Sequence, residues 1–336
     1  MKAVVVHGKG DLRVEERPDP LCPPDAVIVD IEYGGICGSD IHYVLHGATG
    51  LSKVKQPMIL GHEVAGRIRT LGADVSGLRE GEVVTIHPAT TCGACTACLA
   101  GRSNLCGHVS YYGSAAHFPH TEGAFASQKV VAADQIRVAP PGVSTRHAAV
   151  AEPLAVAIHA VRRAGTLEGK TVLVNGAGPI GSLVIAAARL AGAAIIHASD
   201  VAESSLAVAR AMGADTVVNA RNEALPEADV AFEASGIPGV LGGVLSAVRR
   251  GGIVVQVGNL PAGPVSVELA ALVSREIDYR GTYRFEDEIS TALDYLADGL
   301  DVEPVLSHTF DADDAAEAFR TASDRGTGSS KVLLKF

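Results

Sequence analysis

Cys92, Cys95, Cys98 and Cys106 stand in a C-x₂-C-x₂-C-x₇-C spacing. Four thiolates that close in sequence can surround one Zn²⁺ tetrahedrally and leave no open position, which marks a structural ion. An iron–sulfur cluster is the alternative for four cysteines, but so short a lobe matches the zinc pattern better. A second set is dispersed: Cys37 in Gly35-Ile36-Cys37-Gly38-Ser39-Asp40, His62 in Gly61-His62-Glu63, and Glu152 in Ala151-Glu152-Pro153. A thiolate, an imidazole and one or two carboxylates can hold Zn²⁺ with a position left for water or an alcohol. Taken singly, these residues are more commonly a buried Cys, a hydrogen-bonded core His and a helix-capping Glu than ligands. Cys22, beside Pro23-Pro24, has no candidate partner and reads as a free thiol.

Gly176-Ala177-Gly178-Pro179-Ile180-Gly181 fits G-x-G-x-x-G and falls between an apolar run, Thr171 to Asn175, and a helical pattern, Pro179 to Ala191. In that context the glycines allow a tight turn, close approach to a pyrophosphate and packing of helix on sheet. Asp200 ends the next predicted strand, where a carboxylate can accept from the ribose hydroxyls and repel a 2′-phosphate; NAD is therefore expected rather than NADP. A glycine-rich turn with no ligand is one alternative; that Asp200 merely caps a helix beginning near Glu203 is another. Joined to the dispersed zinc set, the loop has a chemical purpose. A metal lowers the pKa of an alcohol, and a nicotinamide accepts its hydride.

Two textures must position these groups. Up to about Gly142, short alternating runs (Ala26 to Glu32, Glu63 to Thr70, Glu82 to His87, Lys129 to Val138) read as strands joined by turns. Between about Val143 and Tyr283, strands at Thr171 to Asn175, Ala194 to Ser199, Thr216 to Asn219, Asp229 to Glu233 and Ile253 to Val257 alternate with helices. That alternation predicts an α/β, doubly wound parallel sheet. The last segment, with a helix near Asp313 to Ala322 and a strand at Lys331 to Phe336, is expected to return to the first domain. The expected division is 1–147 with 284–336 as one domain and 148–283 as the other.

A chain of 336 residues predicts about two domains. With 47% hydrophobic and 20% charged residues it cannot be disordered. Its net charge of −10 disfavours nucleic acid and anionic membranes, leaving a small molecule as the expected partner. A nucleic-acid-binding zinc lobe would need a basic patch around Cys92 to Cys106, which the sequence lacks. No uncharged apolar stretch is long enough to span a bilayer, and the run Ala3 to Val6 is too short for a signal peptide; a cytoplasmic protein with reduced cysteines is expected.

In order and spacing these motifs resemble the zinc-containing medium-chain dehydrogenases over essentially the whole chain. Cys37-Gly38-Ser39-Asp40-Ile41-His42-Tyr43 is similar to the sorbitol dehydrogenase branch. Tyr112-Gly113-Ser114 through Phe118-Pro119-His120, the run Ala151 to Ala160, and Arg284-Phe285 resemble the bacterial L-idonate 5-dehydrogenases. The resemblance implies a GroES-like, mostly β catalytic domain beside a Rossmann domain, two zinc ions per chain, NAD, a sugar acid or polyol as substrate, and a homotetramer or homodimer that pairs through Val265 to Tyr283. It also implies roles. Cys37, His62 and Glu63 match the catalytic zinc ligands, with Glu152 on the metal or its water. Ser39 matches the hydroxyl that relays the alcohol proton, and His42 is either its onward carrier or a plain surface histidine. Tyr43, Glu152 and Arg284 match substrate contacts, and Ile180, Val257, Gly258, Asn259 and Tyr283 match the nicotinamide side. Sorbitol dehydrogenases carry Tyr where this chain has Phe285, which disfavours sorbitol. A sugar acid needs a cation, for which Arg284, His117 and His120 are candidates; the two histidines read equally well as solvent-facing loop residues. Polyol oxidation, L-threonine oxidation and a non-catalytic nucleotide-binding role are the competing readings.

Overall fold

The computed structural model describes residues 1–336, which divide into two compact units: Met1–Glu152 with Ile289–Leu300 and Leu306–Phe336, and Pro153–Glu288 with Asp301–Val305. The first unit is discontinuous. Its main sheet is built around Ala26–Gly35, which pairs antiparallel with Glu63–Leu71 on one side. On the other side Gln128–Ala132 covers its first half and the C-terminal strand Lys331–Lys335 its second. Val29, Ile31, Val64, Ile86, Phe125 and Leu334 belong to its buried apolar core; each side chain of this kind contributes about 1.5–3 kcal/mol when fully buried. The alternating run predicted over Lys129 to Val138 is two strands, Gln128–Ala132 and Ile136–Val138. A 3₁₀ turn at Ala133–Gln135 separates them, so the second can pair with Val83–Ile86 instead.

The second unit holds a six-stranded parallel sheet. Its order is Thr216–Asn219, Ile195–Asp200, Thr171–Asn175, Ala228–Glu233, Val248–Gln256, Asp278–Gly281. In chain order within the unit that is 3-2-1-4-5-6, the doubly wound arrangement expected from the alternating pattern. Val172, Leu173 and Val174 on the central strand are fully buried, as a strand covered on both faces requires. The helix Pro179–Leu190 buries Leu183 through Ala188 and starts with Pro at its first turn, where the missing N–H costs nothing.

The division differs from the expected boundaries at both crossings. It falls after Glu152, inside the helix Ala151–Ala164, and it keeps 284–288 with the parallel-sheet unit. The reason for the latter is Glu288, 1% exposed, which takes His159 Nδ1 at 2.9 Å and Arg162 Nη1 at 3.0 Å. No helix is long and apolar enough to cross a membrane.

Candidate active site

Cys37 sits in extended backbone at the start of the helix Gly38–His46, while His62 and Glu63 lead into the strand Glu63–Leu71. One buried carboxylate ties the two segments: Asp40 Oδ2 accepts from the Cys37 amide at 3.0 Å and Oδ1 from the Gly61 amide at 3.3 Å. Gly61 makes the turn at φ +91, where a Cβ would lie 2.1 Å from the Phe125 ring; only glycine allows His62 to be presented there. The donor atoms of Cys37, His62 and Glu63 then all lie within 4.8 Å of one another.

The donor set fits a divalent cation. His62 is buried and its Nδ1 has no hydrogen-bond partner, with Asp40 Oδ1 3.9 Å away. Burial opposes a charged imidazole, but the Cys37 sulfur and the Asp40 carboxylate outweigh it and push His62 up to about 10. An imidazolium held between anions occupies the electrostatic place that a metal ion would take. Glu63, 1% exposed, is gripped by Lys331, whose Nζ donates to both carboxylate oxygens at 2.9 and 2.7 Å.

Glu152 lies outside this group of three. It occupies the first turn of Ala151–Ala164, is 4% exposed, and its Oε1 accepts the Tyr111 hydroxyl at 2.5 Å. The Tyr111 ring in turn stands edge-on to His62, centroids 5.5 Å apart. Burial pushes Glu152 up to about 7, so its carboxyl titrates near neutrality.

The sulfurs of Cys92, Cys95, Cys98 and Cys106 also fall within 4.8 Å of one another, and none is in a disulfide. The Cys92–Cys106 and Cys95–Cys98 separations of 3.5 and 3.6 Å approach the roughly 3.8 Å edge of a tetrahedron with Zn–S bonds of about 2.3 Å. Backbone amides of Cys92 and His108 donate to the Cys106 sulfur and lower its pKa, favouring the thiolate a metal needs.

In the second unit the loops after three neighbouring strands pack backbone against backbone. A Cβ on Gly176 would meet the Ser235 amide at 2.6 Å, and one on Gly258 the Gly236 amide at 2.3 Å. Gly181 packs on Gly176, while a Cβ on Gly178 would meet nothing within 4 Å; this is an open approach to the helix start. The loops are held by Glu233, 0% exposed, which accepts from the amides of Ser235 and Gly236 and from Gln256 Nε2. Val257 and Gly258 donate to its backbone carbonyl. Asp200 Oδ2 accepts the Ala177 amide at 2.8 Å, and Oδ1 the amides of Val201 and Ala202. Ile180 follows Pro179 in the first helical turn, and Asn259 packs its carbonyl against Gly236.

The remaining candidates are more scattered. Ser39 and His42 lie on the helix that follows Cys37, a turn apart; His42 is exposed and edge-on to His46, centroids 5.4 Å apart. Partial burial, and then His46, lower the His42 pKa. Tyr43 is 2% exposed and its hydroxyl accepts the Ala115 amide at 3.0 Å. Arg284 adopts φ +52, rare for a non-glycine residue, with its guanidinium 4.8 Å from the Tyr283 ring centre; Phe285 is buried beside it. His120 is buried: Nε2 meets the Lys55 amide and Nδ1 the His117 carbonyl, each at 2.8 Å. That pattern requires a neutral ring, so His120 offers no cation to a carboxylate. His117 is committed to the Val109 carbonyl. Tyr111, Asp40, Glu233 and Lys331 do structural or chemical duty that no spacing rule announced; only Asp40 lay within a recognised motif.

Residues 23–141 match the alcohol dehydrogenase GroES-like domain and residues 179–298 the zinc-binding dehydrogenase domain. The chain is 39% identical to L-idonate 5-dehydrogenase (NAD(P)(+)) of Escherichia coli K12, covering 100% of this chain and 98% of that protein. It is 34% identical to sorbitol dehydrogenase of Bacillus subtilis, covering 99% and 97%. The crystal structure of the E. coli L-idonate 5-dehydrogenase superposes with a TM-score of 0.94 over 100% of this chain and 98% of that one. The chain therefore belongs to the zinc-containing medium-chain dehydrogenase family, in the branch that holds the sorbitol and L-idonate dehydrogenases.

Proposed function

We propose that this enzyme oxidises a secondary alcohol of a sugar acid or polyol with NAD and zinc, and that L-idonate to 5-ketogluconate is its preferred pair. The observation that carries this reading is the convergence of Cys37, His62 and Glu63, with the Tyr111–Glu152 pair beside His62, in a chain whose other unit presents an open glycine turn above a doubly wound sheet. The similarity to L-idonate 5-dehydrogenase supports the acid as substrate.

Cys37, His62 and Glu63 would hold the catalytic zinc, and Cys92, Cys95, Cys98 and Cys106 the structural one. Bound at the first site, zinc supplies Lewis-acid polarisation of the alcohol oxygen. Ser39 takes the hydroxyl proton and His42, exposed on the same helix, passes it to solvent. Glu152, poised near neutrality, orients a substrate hydroxyl or water while Tyr111 fixes its rotamer. Gly176, Gly178, Gly181 and Ile180 receive the dinucleotide, Asp200 its ribose, and Val257, Gly258, Asn259 and Tyr283 the nicotinamide end. Tyr43 and Arg284 contact the substrate, with Arg284 the cation for its carboxylate.

The cytoplasm is the expected compartment. A homodimer or homotetramer is the expected assembly, supported by exposed Val265, Leu269, Val273 and Tyr279 on and before the sheet-edge strand Asp278–Gly281; monomeric scattering would remove it. An NAD reduction assay across L-idonate, sorbitol, xylitol and L-threonine tests the substrate. L-Idonate should give the highest kcat/KM; turnover of xylitol or sorbitol with none of L-idonate would make this a polyol dehydrogenase.

A further inference from the structure

Lys331 is 3% exposed, and all three of its ammonium protons have acceptors: Glu63 Oε1 at 2.9 Å, Glu63 Oε2 at 2.7 Å and the Ile36 carbonyl at 3.1 Å. It arrives on the last strand, which pairs with Gly34 and Gly35 through Leu334 and Leu333, while the Ile36 amide donates to Val332 at 2.9 Å. Glu63 faces Gly35 from the opposite neighbour strand, and a Cβ on Gly35 would fall 2.3 Å from Glu63 Oε2. The carboxylate is thus wedged between a glycine backbone and a buried ammonium.

A buried ion pair is a poor source of net stability, because the desolvation of both charges offsets their attraction. This pair has another use. Each carboxylate oxygen has two lone pairs, so the lysine can hold both oxygens and still leave one free toward Cys37 and His62. The charges also differ with and without the lysine. A thiolate and a carboxylate together neutralise a divalent ion; Lys331 adds a positive charge, set against the buried Asp40 carboxylate beside His62. We propose that Lys331 is a positioning residue of the catalytic metal site, fixing the Glu63 carboxylate in the orientation from which it binds the ion beside Cys37 and His62. This inference rests on the zinc assignment made above for those three residues.

The test is zinc retention against a chelator, read alongside the visible spectrum of the cobalt-substituted protein. The variants are Lys331→Met, Lys331→Arg, Glu63→Gln and the double variant E63Q/K331M. The unsubstituted protein should hold about two zinc per chain. Lys331→Met should release one of them about 10–100-fold more readily, the usual effect of removing a residue that orients a metal ligand. The four-cysteine zinc should stay, the cobalt spectrum should change, and Lys331→Arg should restore both properties. Losses in E63Q and K331M should overlap, leaving the double variant no weaker than E63Q alone. Unchanged retention and spectrum in Lys331→Met, or losses that add, would overturn the role. Should Lys331→Met fail to fold, Lys331→Gln takes its place, since it removes the charge but keeps an amide donor for the carboxylate; unchanged zinc retention and cobalt spectrum in it would likewise overturn the role. If the unsubstituted protein holds only the four-cysteine zinc, the metal assignment falls first and the role of Lys331 with it.

Discussion

Tyr111 donates its hydroxyl to Glu152 Oε1 at 2.5 Å while its ring meets His62 edge-on, so one side chain links a metal-ligand candidate to a carboxyl that titrates near neutrality. Tyr111→Phe removes the donor and leaves the ring. A hydrogen bond to a charged group is worth about 1.5–3 kcal/mol, so kcat/KM should fall about 10–100-fold with zinc content unchanged. Steady-state kinetics beside metal analysis check this; wild-type kinetics would take Tyr111 out of the site.

Asp200 is bonded to the glycine loop through the Ala177 amide, in addition to the ribose contact proposed for it. Asp200→Ala should raise the KM for NAD by about 10–100-fold, on the same scale for bonds to a charged acceptor, and raise the kcat/KM for NADP relative to NAD. The ratio, measured with both cofactors at saturating substrate, is the informative quantity. An unchanged ratio would mean that Asp200 serves only the loop.

The lobe holding Cys92, Cys95, Cys98 and Cys106 has little apolar packing of its own: only Cys106 among the four is buried, and Leu99 is 77% exposed. Metal ligation must then supply its order. Cys95→Ser should lose one zinc per chain and lower Tm, with increased proteolysis within 92–106. A variant that keeps both zinc ions and its Tm would show that the cysteines are ordinary thiols.

Glu288 supplies a pH-dependent term. Burial opposes its ionisation, but His159, the Glu286 amide and Arg162 together hold its pKa below the usual carboxylate value. A depressed folded-state pKa gives stability that is complete above the unfolded value, about 4.3, and lost as pH falls through the folded one. Glu288→Gln should therefore lower Tm at pH 7, and the gap to the unsubstituted protein should shrink below about pH 4. A gap that persists undiminished at pH 3 would assign it to packing instead.

The two groups that could hold a metal ion were legible because thiol and imidazole chemistry constrains residue type, and the four cysteines are also close in sequence. The parallel sheet was legible because buried strands alternating with helices leave few topologies. Tyr111 and Lys331 were not, since an ordinary tyrosine in a loop and a lysine near the end of the chain gain meaning only from what they touch. Lys331 reaches Glu63 from 268 residues away. His120 failed as a cation for the same reason in reverse: its ring nitrogens are engaged by the Lys55 amide and the His117 carbonyl, which no spacing discloses, whereas His117 gives one nitrogen to the Val109 carbonyl, as a charged ring also can. The break at Ala133–Gln135 has a signal in the sequence, since Ala132-Ala133 followed by Asp134-Gln135 interrupts the alternation, but apolar residues on both sides of it read as one run.

The measurement that bears most directly on the account is zinc per chain and NAD-linked oxidation of L-idonate in the unsubstituted protein and in Cys37→Ser. The account predicts about two zinc and turnover in the first, and about one zinc with turnover lost in the second. Turnover that persists in Cys37→Ser with the second zinc gone would contradict it.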